Sequence, residues 1–326
     1  MPRKDWTHDQ LVAGVRAGDR RALARAISLV EDRDPAAAAI VRELYPETGR
    51  AHAIGVTGSP GVGKSSLIGA LVGHVRGLGR SVGVVSVDPS SPFSQGALLG
   101  DRIRLAEHFL DPDVFIRSMG ARGHLGGLAE ATLQALLLLD AAGKDVVFLE
   151  TVGTGQSEVE VIRIADTVLL VLMPGSGDAV QALKAGIMEI PDAIAINKKE
   201  HPGAKAMLGD VRSMLALDRE RTVPVLLTEA LQGEGVEQLW DALERHRSTL
   251  EADGELERRR RANLAAEVFQ LAATRARAHL ESAVADDPEL GRVLEAVESR
   301  QLDPLSAVEQ ILETVFRIRD GETDPR

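Results

Sequence analysis

The chain has no cysteine, few aromatic residues, a deficit of positive charge and no long apolar run. Each of these shortages excludes certain kinds of site or classes of protein. The absence of cysteine excludes disulfides, thiolate metal sites and cysteine nucleophiles. Aromatic residues make up only 3%, so a core must be built from Leu, Val, Ile and Ala. The formal net charge of −11 argues against nucleic-acid binding, because phosphate contacts need a basic surface. We find no signal peptide and no apolar run of about 18 residues, which predicts a cytoplasmic protein without a membrane partner.

The 326 residues divide by pattern into three parts. Residues 1–50 have helical spacing, residues 51–250 alternate between strands and helices, and residues 251–326 have helical spacing again. The expected strands are His52–Thr57, Ser81–Val87, Asp145–Leu149, Thr167–Leu172, Ala193–Ile196 and Val223–Leu227. Short apolar runs separated by helical patterns predict an α/β fold, with a mostly parallel sheet covered by helices on both faces and helical extensions at both ends. A ligand is expected at the carboxyl ends of the strands.

Several helix starts are also marked in the sequence. Thr7 with Gln10 forms a capping-box pattern. Asp-Pro pairs at residues 34–35, 287–288 and 303–304 place proline at the first helical position, where its missing N–H costs nothing.

The strongest motif is Gly-Ser-Pro-Gly-Val-Gly-Lys-Ser at residues 58–65, a complete match to the phosphate-binding loop G-x-x-x-x-G-K-[ST], or P-loop. A predicted strand precedes it and a predicted helix, Ser65–Arg76, follows it, so backbone N–H groups and a helix N-terminus point at a polyphosphate. Lys64 is expected to reach the β- and γ-phosphates, and the Ser65 hydroxyl to bind magnesium. The expected contacts are Gly58, Ser59, Pro60, Gly61, Val62, Gly63, Lys64, Ser65 and Ser66. A glycine-rich turn that binds nothing is the disfavoured alternative.

Acidic residues follow two of the expected strands. Glu150 ends a hydrophobic strand three residues before Gly153, where P-loop proteins carry a carboxylate that holds magnesium through water and a glycine N–H that contacts the γ-phosphate. Asp88 closes the strand after the P-loop helix, and Asp101 lies in the loop beyond it. Either acid is placed to reach the metal, although Asp88 taken alone is better explained by a simple Asp-Pro turn.

Two further segments predict recognition of guanine. Asn197-Lys198-Lys199-Glu200 follows a strand at the place where GTPases have Asn-Lys-x-Asp, whose acid accepts hydrogen bonds from guanine N1 and its exocyclic amine. Here that acid is Glu, with a longer reach. Thr228-Glu229-Ala230 follows the last strand, where GTPases have a short segment that contacts the guanine oxygen.

With these motifs in place, residues 52–240 closely resemble the MeaB/ArgK GTPases, a family that includes the methylmalonyl-CoA mutase-associated G-protein chaperones. The resemblance is carried by residues 58–66, 87–93, 96–102, 122–129, 150–158, 174–178, 197–198 and 233–235. It implies a P-loop NTPase fold and a GTP-dependent homodimer with the C-terminal helices as the dimerising arm. It also implies a role in loading and protecting adenosylcobalamin in an acyl-CoA mutase.

The resemblance also assigns roles to particular residues. Lys64, Asp88, Asp101 and Glu150 become catalytic, and Ser65, Asp88, Asp101 and Glu150 surround magnesium. Gly153, Gln156 and Ser157 form a switch that senses the γ-phosphate. Asp178, Gln181 and Lys184 belong to a mobile loop that responds to the mutase. The chain departs from the family at residues 178–181, where a Glu-Leu pair is usual, and at Glu200.

The sequence therefore predicts a slow GTPase, using GTP and Mg²⁺, that acts as a chaperone for a cobalamin-dependent acyl-CoA mutase. Three alternatives stay open. One is a metal-insertion GTPase for nickel enzymes, which usually carries the Cys or His ligands that are missing here. The second is a transport-system kinase or ATPase, and the third is a module that binds GTP without turnover. Methylmalonyl-CoA, isobutyryl-CoA and ethylmalonyl-CoA mutases are all candidate clients.

Overall fold

The computed structural model describes residues 6–88, 105–120, 126–151, 163–175, 191–217 and 222–316, and its centre is one parallel sheet. The sheet has seven strands in the order β3-β2-β4-β1-β5-β6-β7, and every neighbouring pair runs parallel. The strands are β1 (His52–Thr57), β2 (Val82–Asp88), β3 (Val114–Gly120), β4 (Val146–Thr151), β5 (Thr167–Leu172), β6 (Ala193–Ile196) and β7 (Val225–Leu227). The predicted α/β architecture is confirmed.

Helices cover both faces of this sheet, as the uninterrupted apolar strands predicted. The helices are α1 (His8–Arg16), α2 (Arg20–Glu31), α3 (Pro35–Leu44), α4 (Lys64–Gly77), α5 (Gly126–Ala141), α6 (Ala204–Leu215), α7 (Val236–Ala252) and α8 (Glu255–Asp286). Helices α4 and α7 share a buried cluster with Ile54 and Val56 of β1, whereas α1, α2, α3 and α5 share another with Ala53 on the opposite side. Helix α6 packs over β5 and β6.

The predicted caps form as the residue types require. Thr7 Oγ1 accepts from the Gln10 N–H at 3.3 Å, and Gln10 Oε1 accepts from the Thr7 N–H at 3.3 Å, so two otherwise unpaired donors are satisfied. Asp34 Oδ1 accepts from the Ala36 N–H at 2.9 Å at the start of α3. The N-terminal helices are thus stabilised by their own caps, and their apolar faces pack in one buried cluster with α5.

One strand was missed by the sequence analysis and one was placed too early. Strand β3 lies at the sheet edge, and half-buried Arg117 and Ser118 interrupt its apolar run. Arg117 Nε donates to Glu31 Oε1 of α2 at 2.8 Å, a long-range pairing that no local pattern reveals. Strand β7 begins at Val225 and not Val223, since Pro224 has no N–H to give to the ladder.

The structure divides into two compact units, residues 1–264 and 265–326. The described part of the second unit holds the remainder of α8, then α9 (Pro288–Glu298) and α10 (Pro304–Phe316). The Asp287 and Asp303 side chains cap the last two helices, as the Asp-Pro pairs predicted. Leu290 and Ala307 are buried, whereas Phe269 is 76% and Leu305 is 77% exposed, so this unit presents apolar surface. No helix in the described ranges combines the length and apolarity needed to cross a bilayer.

Candidate nucleotide-binding site

The P-loop joins β1 to α4 at the carboxyl ends of the strands, and two of its glycines occupy positions that no other residue fits. Gly58 has φ +143°, and a Cβ there would lie 2.1 Å from the Val171 carbonyl oxygen of β5. Gly63 has φ +94°, and a Cβ there would lie 2.5 Å from Asn197 Nδ2. The loop backbone therefore packs so closely against Val171 and Asn197 that a side chain has no room at either position. Both packing and backbone conformation require glycine there.

Lys64 opens α4 and places its charge inside the loop. Its Nζ donates to the Gly58 carbonyl oxygen at 2.6 Å and to the Ser59 carbonyl oxygen at 3.3 Å, and only 6% of the residue is exposed. The first N–H groups of α4 and the helix dipole add positive potential at the same point. A buried cation beside a helix N-terminus is suited to a polyphosphate.

A buried carboxylate lies beside the P-loop hydroxyl. Ser65 Oγ donates to Glu150 Oε1 at 2.6 Å, and Ser86 Oγ donates to Glu150 Oε2 at 3.0 Å. The sheet register sets this up, because Glu150 on β4 lies opposite Val56 of β1 and Ser86 of β2. Glu150 is 1% exposed, and a carboxylate this deep needs such partners to be tolerated.

The oxygens of Ser65 and Glu150 fit a magnesium ion. Both are hard oxygen donors 2.6 Å apart at the mouth of the loop, the chemistry that Mg²⁺ prefers. Within the described ranges no group of three or more His, Asp or Glu side chains could hold a metal. An ion at this point would therefore draw further ligands from phosphate and water, as Mg²⁺ in nucleotide sites usually does.

Asn197 connects the P-loop to the loop that follows β7. Its Nδ2 donates to the Val62 carbonyl oxygen at 3.0 Å, and its Oδ1 accepts from the Ala230 N–H at 3.1 Å and from Thr228 Oγ1 at 3.3 Å. Asn197 is 3% exposed. The sequence predicted that Asn197 contacts the base. The structure shows in addition that its buried side chain is a brace, a set of hydrogen bonds that joins the P-loop at Val62 to the loop at Thr228 and Ala230.

Two other residues of the expected base site, Lys198 and Glu200, are exposed beside this brace, and Glu229 is half-buried. Lys198 is exposed, with φ +58°, and its Nζ donates to the Gly61 carbonyl oxygen at 3.3 Å. Glu200 is exposed and accepts from Gln232 Nε2 at 3.3 Å. Glu229 pairs through its backbone with Glu234, its N–H donating to the Glu234 carbonyl oxygen at 2.9 Å.

The described structure thus brings together the P-loop, Glu150 and the two segments expected to read the base. Ser86 belongs to the same cluster and was missed, because only the register of β2 against β4 brings it to Glu150. Asp88 ends β2, but its side chain lies outside the description. Also outside the described residues are Asp101, Gly153, Gln156, Ser157, Asp178, Gln181 and Lys184.

Comparison with known proteins gives a consistent result. A family model described as methylmalonyl-CoA mutase-associated GTPase MeaB matches residues 23–285. A putative GTPase of Pyrococcus abyssi is 44% identical over 314 residues, covering 94% of this chain and 97% of the relative. The GTPase ArgK of Escherichia coli is 37% identical over 254 residues, covering 74% of this chain and 77% of ArgK.

A solved structure agrees with these sequence matches. The crystal structure of a LAO/AO transport system kinase superimposes with a TM-score of 0.72 at 29% identity, covering 95% of this chain and 98% of that one. The matched range 23–285 includes every described residue of the site above.

Proposed function

The chain belongs to the MeaB family of P-loop GTPases, and on that premise we propose that its GTP hydrolysis controls the loading of adenosylcobalamin into an acyl-CoA mutase. One observation carries the proposal: the family description that matches residues 23–285 is that of a mutase-associated GTPase. The described P-loop site lies wholly within those residues, and the positions of its Lys64, Ser65 and Glu150 support a role in hydrolysis.

Each part of the site has a separate task in this proposal. Lys64 exchanges its bonds to the Gly58 and Ser59 carbonyls for bonds to the β- and γ-phosphate oxygens. Ser65 and Glu150 would hold magnesium, which when bound would neutralise charge on those oxygens. Catalysis is then a matter of position and electrostatics, because phosphoryl transfer requires little covalent chemistry from the protein.

The residues outside the description complete the proposal. Asp88 and Asp101 extend the metal surroundings, and Gly153, Gln156 and Ser157 sense the γ-phosphate. Asp178, Gln181 and Lys184 transmit the nucleotide state to the mutase. On this view the protein is a switch whose hydrolysis rate is slow until the client is present.

We further propose a homodimer formed through the second unit. Its exposed apolar side chains support this, with Val268 63%, Phe269 76% and Val308 52% exposed. Large apolar side chains exposed on a helical unit are candidates for burial in a protein interface. Light scattering on the purified protein should give twice the mass of one chain, and a single-chain mass would contradict the proposal.

The chaperone function is tested by following adenosylcobalamin transfer onto an apo-mutase. We expect GTP to accelerate the formation of active mutase, and Lys64→Ala to abolish that acceleration because the phosphate-binding cation is lost. Lys205→Ala, which changes an exposed lysine of α6, is the matched control. Equal loading with and without GTP would contradict the proposal.

A second candidate is phosphoryl transfer to a transport protein, and the structural similarity to a protein named as a transport system kinase favours it. The two functions leave different products. With γ-labelled GTP, a chaperone releases free phosphate, whereas a kinase leaves label on a protein acceptor.

A further inference from the structure

The loops that follow β6 and β7 are fastened to each other at the expected base site. The Lys199 N–H donates to the Thr228 carbonyl oxygen at 3.0 Å, and Lys199 Nζ lies 2.5 Å from Glu234 Oε2. The Glu234 N–H in turn donates to the Glu229 carbonyl oxygen at 3.2 Å. The two loops therefore form one surface, although helix α6 and strand β7 lie between them in the sequence.

Within that surface, Gln232 contacts the acid expected to read the base. Gln232 Nε2 donates to Glu200 Oε1 at 3.3 Å, and the Gln232 N–H donates to the Glu229 carbonyl oxygen at 3.2 Å. The backbone bond holds the main chain of Gln232 in the loop, and the side-chain bond directs its amide toward Glu200. Glu200 is exposed, so packing within its own loop does not hold the carboxylate in place.

We propose that Gln232 is a specificity-determining positioning residue, which orients the Glu200 carboxylate to accept from the N1–H and 2-amino groups of guanine. This rests on the proposed GTP site. Glutamate has one more rotatable bond than the aspartate usual at this position, so it loses more freedom when it binds a base. A carboxylate offers about four acceptor positions, so a bond from Gln232 leaves enough for both guanine donors.

Bases differ in how far they depend on this orientation. Guanine presents two donors to the carboxylate and hypoxanthine presents one, whereas adenine presents an acceptor at N1. A loss of orientation should therefore weaken GDP most, IDP less and ADP not at all. A general distortion of the loop would weaken all three equally.

The experiment measures dissociation constants of GDP, IDP and ADP for the full chain and its variants. Gln232→Ala should weaken GDP about fivefold, the value of one hydrogen bond of ordinary strength, with a smaller effect on IDP. In a Glu200→Ala background the same change should add nothing, since its effect passes through Glu200. Gln238→Ala, an exposed glutamine of α7, is the matched control and should leave all three constants unchanged.

The outcomes separate this inference from the proposed function. Equal weakening of GDP, IDP and ADP by Gln232→Ala would overturn the positioning role, and so would an undiminished effect in the Glu200→Ala background. If Glu200→Ala itself keeps the preference for GDP over ADP, then Glu200 does not read the base and the role of Gln232 fails with it, while the proposed GTPase function stands. A parent chain that binds no GDP would overturn the proposed function. If Glu200→Ala loses the preference while Gln232→Ala keeps it undiminished, only the role of Gln232 is wrong.

Discussion

Replacing Asn197 by alanine should weaken both the fold and nucleotide binding, because this side chain bonds to two segments of the site. The change removes the bond to the Val62 carbonyl oxygen and the bonds from Ala230 and Thr228, at 3.0, 3.1 and 3.3 Å. Asn197 is only 3% exposed, so water has little access to this position. The Val62 carbonyl and the Ala230 N–H would therefore lose a hydrogen-bond partner that water does not readily replace. At about 1 kcal/mol for each lost bond, we expect a loss of roughly 2–3 kcal/mol in the free energy of unfolding.

Urea unfolding followed by tryptophan fluorescence, to which Trp6 and buried Trp240 contribute, measures this loss, and GDP titration measures the effect on binding. Thr228→Val is the matched control, since it keeps the shape of the side chain and removes only the longest of the three bonds. Its cost should be about 1 kcal/mol or less. An Asn197→Ala protein within about 0.5 kcal/mol of the parent, the range of ordinary surface substitutions, would refute the reasoning.

Three further predictions concern the metal, the loop and acid stability. Glu150→Gln keeps the size of the side chain but removes its charge, and one of the two serine hydroxyls must then accept from the new amide instead of donating. The magnesium concentration for half-maximal hydrolysis should therefore rise about tenfold or more, and an unchanged magnesium titration would exclude Glu150 as a metal-site residue. Gly58→Ala forces a Cβ to 2.1 Å from the Val171 oxygen at φ +143°, so thermal unfolding should show a loss of about 3 kcal/mol or more, and a parental melting curve would show that the loop relaxes freely. The hydrogen bond from His52 and the ion pair with Arg80 hold the pKa of Glu244 at about 2, below its ordinary 4.5. This lowered pKa stabilises the fold above pH 4.5, and the stabilisation is lost as the pH falls toward 2. It amounts to about 1–2 kcal/mol in the free energy of unfolding after allowance for the partial exposure of Glu244. Glu244→Gln should flatten that part of the stability curve in urea unfolding between about pH 3 and pH 6, and an unaltered slope would contradict this.

The fold was predictable because most of its signals are local. The P-loop glycines, the apolar strands and the Asp-Pro helix starts each follow from residue types at short spacing, and the structure confirms the parallel sheet they predicted. The position of Glu150 beside the P-loop was also predictable, since carboxyl ends of neighbouring parallel strands meet at one edge. The catalytic and binding roles of the site residues stay predictions.

What the sequence analysis missed depends on contacts between distant segments. Edge strand β3 was missed because Arg117 interrupts its apolar pattern, and the partner of Arg117, Glu31, lies 86 residues away. Ser86 reaches Glu150 through the register of β2 and β4, which no single segment specifies. Gln232 was overlooked for the same reason, because only the folded loops bring it to Glu200.

The most direct test of the account is the rate of GTP and ATP hydrolysis by the purified protein, with and without an adenosylcobalamin-dependent acyl-CoA mutase from the same source. We predict slow turnover that is selective for GTP, rises when the mutase is added and disappears in Lys64→Ala. Turnover of ATP as fast as GTP, or no response to any mutase, would contradict the account.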